Sequence, residues 1–162
     1  MIVPQRSSSD SERGAAMVEF AVSSVVLFML VFGCIGITMA FYTYEVVNEY
    51  ARDASRYAIV HGANCTAQPS GASCTIIPGA AANLALTNYL KHQIYPGING
   101  ANLRVTATYT FGPGATTCNA AACNGPGDQV TVLVTYPYLY NLPFVPQRAF
   151  TMRGTSTMVI SQ

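Results

Sequence analysis

The sequence predicts an α+β protein in which a long N-terminal transmembrane helix continues into an amphipathic stem. The stem packs on a small antiparallel sheet of about three strands, with one additional helix. Residues 20–44 carry no formal charge, in a chain of 162 residues that is 51% apolar and only 9% charged. Downstream the apolar period switches from helical spacing to strict alternation, as in a passage from helix to strand. Four of the five cysteines, Cys65, Cys74, Cys118 and Cys123, follow the uncharged run, an even set of the kind an oxidising compartment favours.

Residues 1–14 form a polar leader. Its first thirteen residues, MIVPQRSSSDSER, are Ser-rich and without periodicity, so they are expected to build no regular structure or to be removed. The transmembrane helix is placed at 15–44. Its uncharged stretch, 20–44, makes a helix roughly 37 Å long, enough to cross a hydrocarbon core of about 30 Å. A secretory signal has an apolar region of only about 7 to 15 residues and a small-residue cleavage site, so the run reads as a retained anchor. Arg6 and Arg13 precede it and hold the N-terminus on the cytoplasmic side. Gly36 and Ala40, four apart and close to Gly33, give a second helix a place to approach.

The stem follows at 45–62 without a Pro or Gly cluster to interrupt it. Val46, Val47, Tyr50, Ala51, Ala54, Tyr57 and Ala58 recur at helical spacing, while Glu45, Glu49, Arg52, Asp53 and Arg56 fill the opposite face. His61 and Gly62 suit its end.

Residues 63–162 form one small domain outside the membrane. Pro78 suits a helix start, and Ala82, Leu86, Tyr89 and Leu90 keep helical spacing until Pro96 and Gly97 stop the run. Leu103, Val105, Ala107, Tyr109 and Phe111 then alternate with polar residues, and Val130, Val132, Val134 and Tyr136 do the same. A third strand runs through Phe150, Met152, Met158 and Ile160, with the small Gly154 and Ser156 at the same parity. Such strands form an antiparallel sheet whose apolar face needs a cover, and the stem is available. Between the second and third strands, YPYLYNLPFVP over 136–146 reads as a Pro-stiffened apolar loop. It is either a partner surface, through Tyr138, Tyr140, Leu142 and Phe144, or a loop that folds back on its sheet or touches lipid headgroups. The four cysteines allow three connectivities. Local pairing, Cys65 with Cys74 and Cys118 with Cys123, would staple two loops rich in small residues.

Several classes of function are disfavoured. With a net charge of +1 and scattered basic residues there is no electrostatic footprint for nucleic acid. Beyond the stem the domain offers a single acid, Asp128, with His61 at a helix end and His92 beside Lys91, which is too little for an enzyme's acid, base or nucleophile. The GPG stretches at 112–114 and 125–127 read as turns, because neither leads into a helix with a Lys. No metal site, cofactor or small-molecule substrate is expected, since only the second cysteine pair has a ligand-like gap and no His adjoins it.

The most informative segment is RGAAMVEF over 13–20, which sets Glu19 just inside the apolar helix. An acid deep in a bilayer costs about 2.5 to 3.5 kcal/mol, so its presence there calls for a function. The segment resembles the processing site of type IV prepilins, whose membrane peptidase cuts after Gly and leaves Glu fifth in the mature chain. That resemblance implies a cut between Gly14 and Ala15, with Glu19 fifth and Phe20 sixth. The new ammonium on Ala15 would pair with the Glu19 carboxylate, or with that of a neighbouring subunit. The leader departs from a basic one, since Asp10 and Glu12 offset Arg6 and Arg13.

The wider stretch from Glu12 to Val60, including ARDASRYA at 51–58, resembles the TadE-like family of minor pseudopilins from tight-adherence (Flp) pilus systems. So does the ending, VLVTYPYLYNLPFVP at 132–146 followed by FTMRGTSTMVI at 150–160. The resemblance implies a pilin-like fold and a role in priming or assembling a pilus for adhesion. It implies partners among other pilins, the Tad assembly machinery and the prepilin peptidase. It also implies a place in the bacterial inner membrane, with the C-terminal domain on the extracytoplasmic side. The competing reading is an unprocessed, membrane-tethered module that scaffolds a secretion or pilus machine.

Overall fold

The computed structural model describes residues 8–63, 65, 75–93, 95–112, 117–118, 123–140 and 146–161. Its elements are α1 (Ser8–Val60), α2 (Ala80–His92), a 3-10 turn (Gly100–Asn102), and strands β1 (Arg104–Thr110), β2 (Thr117–Cys118), β3 (Gln129–Tyr140) and β4 (Arg148–Val159). The four strands form one antiparallel sheet in the order β2-β1-β3-β4. The three expected strands are β1, β3 and β4. The two-residue β2 joins them from inside the second cysteine segment, opposite Tyr109 and Thr110.

α1 is a single helix of 53 residues, roughly 80 Å long at about 1.5 Å per residue. It starts at Ser8 and so corrects the expectation that residues 1–13 hold no regular structure. The sequence accounts for this: Pro4 is the leader's one proline and lies upstream, and acids at 10 and 12 favour the positive end of a helix.

The stem stripe is buried as its spacing implies. Val47, Ala51, Ala54 and Ala58 are wholly covered, with Val46 and Tyr50 nearly so. The opposite face stays wet and carries two local ion pairs, Arg52 with Glu49 at 2.7 Å and Arg56 with Asp53 at 4.0 Å. Exposed pairs of this kind contribute a few tenths of a kcal/mol at most.

The stripe lies on β3 and β4, and small residues set how closely. A Cβ on Gly154 would lie 2.6 Å from the Val47 carbonyl oxygen and 3.0 Å from the Asn48 Cα, so helix and strand meet there backbone to backbone. One strand turn further, Ser55 Oγ lies 2.7 Å from Ser156 Oγ. The even parity of Gly154 and Ser156 thus marks the line along which the helix is seated.

α2 closes the other side. Ala82, Leu86 and Leu90 are buried, and Tyr50 Oη donates to the Gln93 carbonyl at 2.9 Å, tying the end of α2 to the stem. Helix α2 begins two residues after Pro78, with Gly79 at φ 107° before its first turn. Asn83 performs a second service. Because β2 pairs with β1 only at Tyr109 and Thr110, the rest of that edge is open, and Asn83 Oδ1 accepts the Ala107 N–H at 2.7 Å. At the end of α1, His61 Nδ1 donates to the Tyr57 carbonyl at 2.7 Å, the capping part read for it in the sequence.

In β3 the even positions Val130, Val132, Val134 and Tyr136 are buried, as the alternation predicts. In β1 Val105, Ala107 and Tyr109 are buried too, but Phe111 lies beyond the strand and is exposed.

Tyr109 is 1% exposed, and its hydroxyl has no hydrogen-bond partner among the described residues. Burial pushes its pKa up to about 12. The neutral phenol is therefore favoured by folding. That contribution is complete below about pH 10 and is lost as pH rises toward 12. A shift of this size corresponds to about 2 to 3 kcal/mol. The urea midpoint is expected to fall between about pH 10 and about pH 12, and Tyr109→Phe to remove part of that fall, since burial raises the pKa values of Tyr50 and Tyr95 as well.

Candidate functional site

Gly14, Ala15, Glu19 and Phe20 lie on one uninterrupted stretch of α1 and are all exposed. A Cβ at Gly14 would meet nothing within 4 Å, so packing does not require glycine there. Glu19 forms no ion pair among the described residues. It lies four residues after Ala15, one helical turn along on the same face.

From Ala15 to Tyr42 the helix has no buried residue, and Thr43 is the first side chain the domain covers. Its surface here is apolar, with Phe20, Leu27, Leu30 and Phe41 each at least 59% exposed. The helix is long and apolar enough to cross a membrane, and none of its most apolar window is buried. Three hydroxyls along it bond within the helix. Ser24 donates to the Ala21 carbonyl, Thr38 to Cys34 and Thr43 to Met39, at 2.8 to 2.9 Å. This back-bonding is how hydroxyls are accommodated where no water is at hand. Gly33 also has open space around it, with nothing within 4 Å of a Cβ there among the described residues.

The expected loop at 136–146 is corrected in its first half. β3 continues through Tyr140, and Tyr136, Tyr138 and Tyr140 pair with Met152, Phe150 and Arg148 of β4. Pro137 is tolerated because β1 stops pairing at Thr135, which leaves β3 bonded on one side only. The signal was present in the sequence, since Tyr138 and Tyr140 carry on the even parity of Val130 to Tyr136. Leu142 and Phe144 lie outside the described residues.

This hairpin extension runs beside α1, and a groove of about 660 Å³ lies between them. Ile37, Ala40, Phe41 and Tyr44 form the helix wall. Tyr138, Tyr140, Phe150 and Met152 form the strand wall, with Arg148 beside them. Phe150, expected in the core by its parity, is 56% exposed and lines this groove instead. No single residue pattern announces the groove, since its walls are about a hundred residues apart in sequence.

Cys34 is free and exposed on α1, while Cys65 and Cys123 are not free. Cys65 and Cys123 are each disulfide-bonded, and Cys74 and the side chain of Cys118 lie outside the described residues. Among the described residues no group of three or more His, Cys, Asp or Glu could hold a metal ion.

These features define a class of protein: a single long helix, apolar and bare for its first half, whose second half is built into an α+β head. Residues 14–56 match the family model described as TadE-like protein. The match takes in Gly14, Glu19, the bare helix and the stem as far as Arg56, and it is consistent with a TadE-like protein of Tad pilus systems. Searches of the curated proteins and of the solved structures found no significant match.

Proposed function

We propose that the chain is a minor pilin or pseudopilin that primes or assembles a tight-adherence pilus. Its α1 spans the bacterial inner membrane, the leader lies in the cytoplasm and residues 63–162 are displayed outside. The observation that carries this reading is Glu19, an exposed acid on a bare apolar helix, five residues after Gly14 within the segment that matches the TadE-like model. Family likeness to a pilus-associated structural group supports assembly rather than catalysis as the task.

The chemistry follows from the helix. The Gly14–Ala15 bond belongs to continuous α1, and a peptidase needs an extended substrate. Glycine is about 1 kcal/mol worse than alanine in a helix, so the chain opens most readily at Gly14. Hydrolysis there frees an ammonium on Ala15 one turn from the Glu19 carboxylate. At the bilayer edge this pair, or its intermolecular equivalent, sets the axial position of one helix against the next. Outside the membrane the four cysteines close two disulfides that stiffen the loops around α2 and β2.

The test is the intact mass of the protein from its native host, with and without the prepilin peptidase. The expected mature chain begins at Ala15 when the peptidase is present and at Met1 when it is absent. Retention of Met1 in both would remove the processing claim and favour an unprocessed tethered module.

A further inference from the structure

We propose that the groove between α1 and the β3–β4 hairpin seats the N-terminal half of α1 from a second copy of this chain, with that copy's Glu19 carboxylate on Arg148. This rests on the reading of the chain as a pilus subunit whose helices lie parallel.

The first argument is one of charge. Arg148 lines the groove and makes no ion pair among the described residues, and no acid lines it. The walls around it are apolar or aromatic, Ile37, Phe41 and Tyr44 on the helix and Tyr138 and Phe150 on the strands. Glu19 is the one acid between Ala15 and Tyr44, and it too forms no ion pair among the described residues. The chain thus carries an unmatched cation beside an apolar groove and an unmatched anion on an apolar helix. Such a pair, closed off from water, contributes little net energy when formed and costs much when one partner is missing, so it selects a single register.

The second argument is one of shape. The neighbours of Glu19 on its own face of the helix, three and four residues away, are Ala15, Ala16, Val22 and Ser23. All four are exposed and none is larger than Val, so this face is slim and admits close approach. Bulky aromatic walls and a slim helix face complement one another.

The third argument is one of length. Ile37, which shares the groove with Arg148, lies roughly 18 residues beyond Glu19, or roughly 27 Å of helix. The second copy therefore stands that much further along the helix axis. Its Thr43, the first side chain that its own head covers, comes level with His61 of the first copy, just past the end of α1 at Val60. The head-covered stretches then follow one another along the axis. The groove of each copy takes the helix of the next, and a heterologous contact of this kind propagates into a filament unless it closes into a ring.

The test uses the full-length chain in its native host, present as two copies with different tags. Phe150, 56% exposed, is replaced in one copy by photoreactive benzoylphenylalanine. Irradiation is expected to give a covalent product of the two tagged copies, with the link mapped by mass spectrometry to residues 15–23 of the second. Glu19→Arg or Arg148→Glu, carried by both copies, should lower its yield about ten-fold. Arg148→Glu in the probe-bearing copy with Glu19→Arg in the other should restore it, because the reversed charges meet across the groove. A link that maps elsewhere, a product confined to one chain or to lipid, a yield indifferent to both reversals, or an exchanged pair that does not restore it overturns the assignment. The intact mass of the same samples keeps the two readings apart. A chain that begins at Ala15 without the expected link loses the groove assignment alone, whereas Met1 retained in every sample with no link removes the pilin reading as well.

Discussion

Gly154→Val is expected to lower the stability of the α+β head by about 3 kcal/mol, the upper part of the range for forcing extra atoms into a packed core. The reason is geometric. The first added carbon would already lie 2.6 Å from the Val47 carbonyl oxygen and 2.9 Å from its carbonyl carbon, and these are backbone atoms with no rotamer to change. Relief requires α1 to lift from β4, which also parts Ser55 from Ser156 and uncovers Ala51 and Ala54. Denaturation followed by tyrosine near-ultraviolet circular dichroism measures the loss. Gly33→Ala serves as the contrast, since a Cβ there meets nothing within 4 Å, and it should leave the transition unchanged. A Gly154→Val protein as stable as the parent would mean that the stem is not seated on β4 as described.

Tyr50→Ala has the other large effect, a loss of about 3 to 5 kcal/mol, as for other large buried aromatic truncations. Tyr50 is 2% exposed and meets Tyr95 edge to face with ring centres 5.0 Å apart. Its hydroxyl reaches the Gln93 carbonyl just after α2. Removing the ring takes away one of the contacts by which α1 holds the end of α2, leaving the Tyr57–Tyr89 stack. Tyr50→Phe retains the ring and loses only the hydrogen bond, with an expected cost of about 1 kcal/mol. Burial pushes the Tyr50 pKa up, so this hydroxyl remains a donor through ordinary alkaline conditions. Equal costs for the two substitutions would show that the hydrogen bond, and not the packing, joins the elements.

Much of this architecture is written in local pattern. The stem stripe from Val46 to Ala58, the alternation in β1 and β3, and the stop of α2 before Pro96 are all one-dimensional signals. A helix or strand buries one face, so its period survives in the sequence. The spacing of Gly14, Ala15 and Glu19 is equally legible, because it is a property of the order of neighbouring residues. The misreadings occurred where local cues compete with pairing. Prolines at 137, 143 and 146 suggested a loop over 136–146, yet the register with β4 holds Tyr136 to Tyr140 as strand. The leader's polarity suggested disorder, yet from Ser8 the backbone is helical.

The sequence by itself determined the long apolar helix, the stem that continues it, strands β1, β3 and β4 of the sheet and the position of Glu19 one turn beyond Ala15. Only the tertiary structure decided that Gly154 seats the stem, that β3 extends to Tyr140, and that Arg148 and Phe150 stand across a groove from Ile37 and Phe41. The physical reason is range. Periodicity and motif spacing are properties of adjacent residues, whereas contacts between positions a hundred residues apart exist only once strand register and helix seating have brought them together.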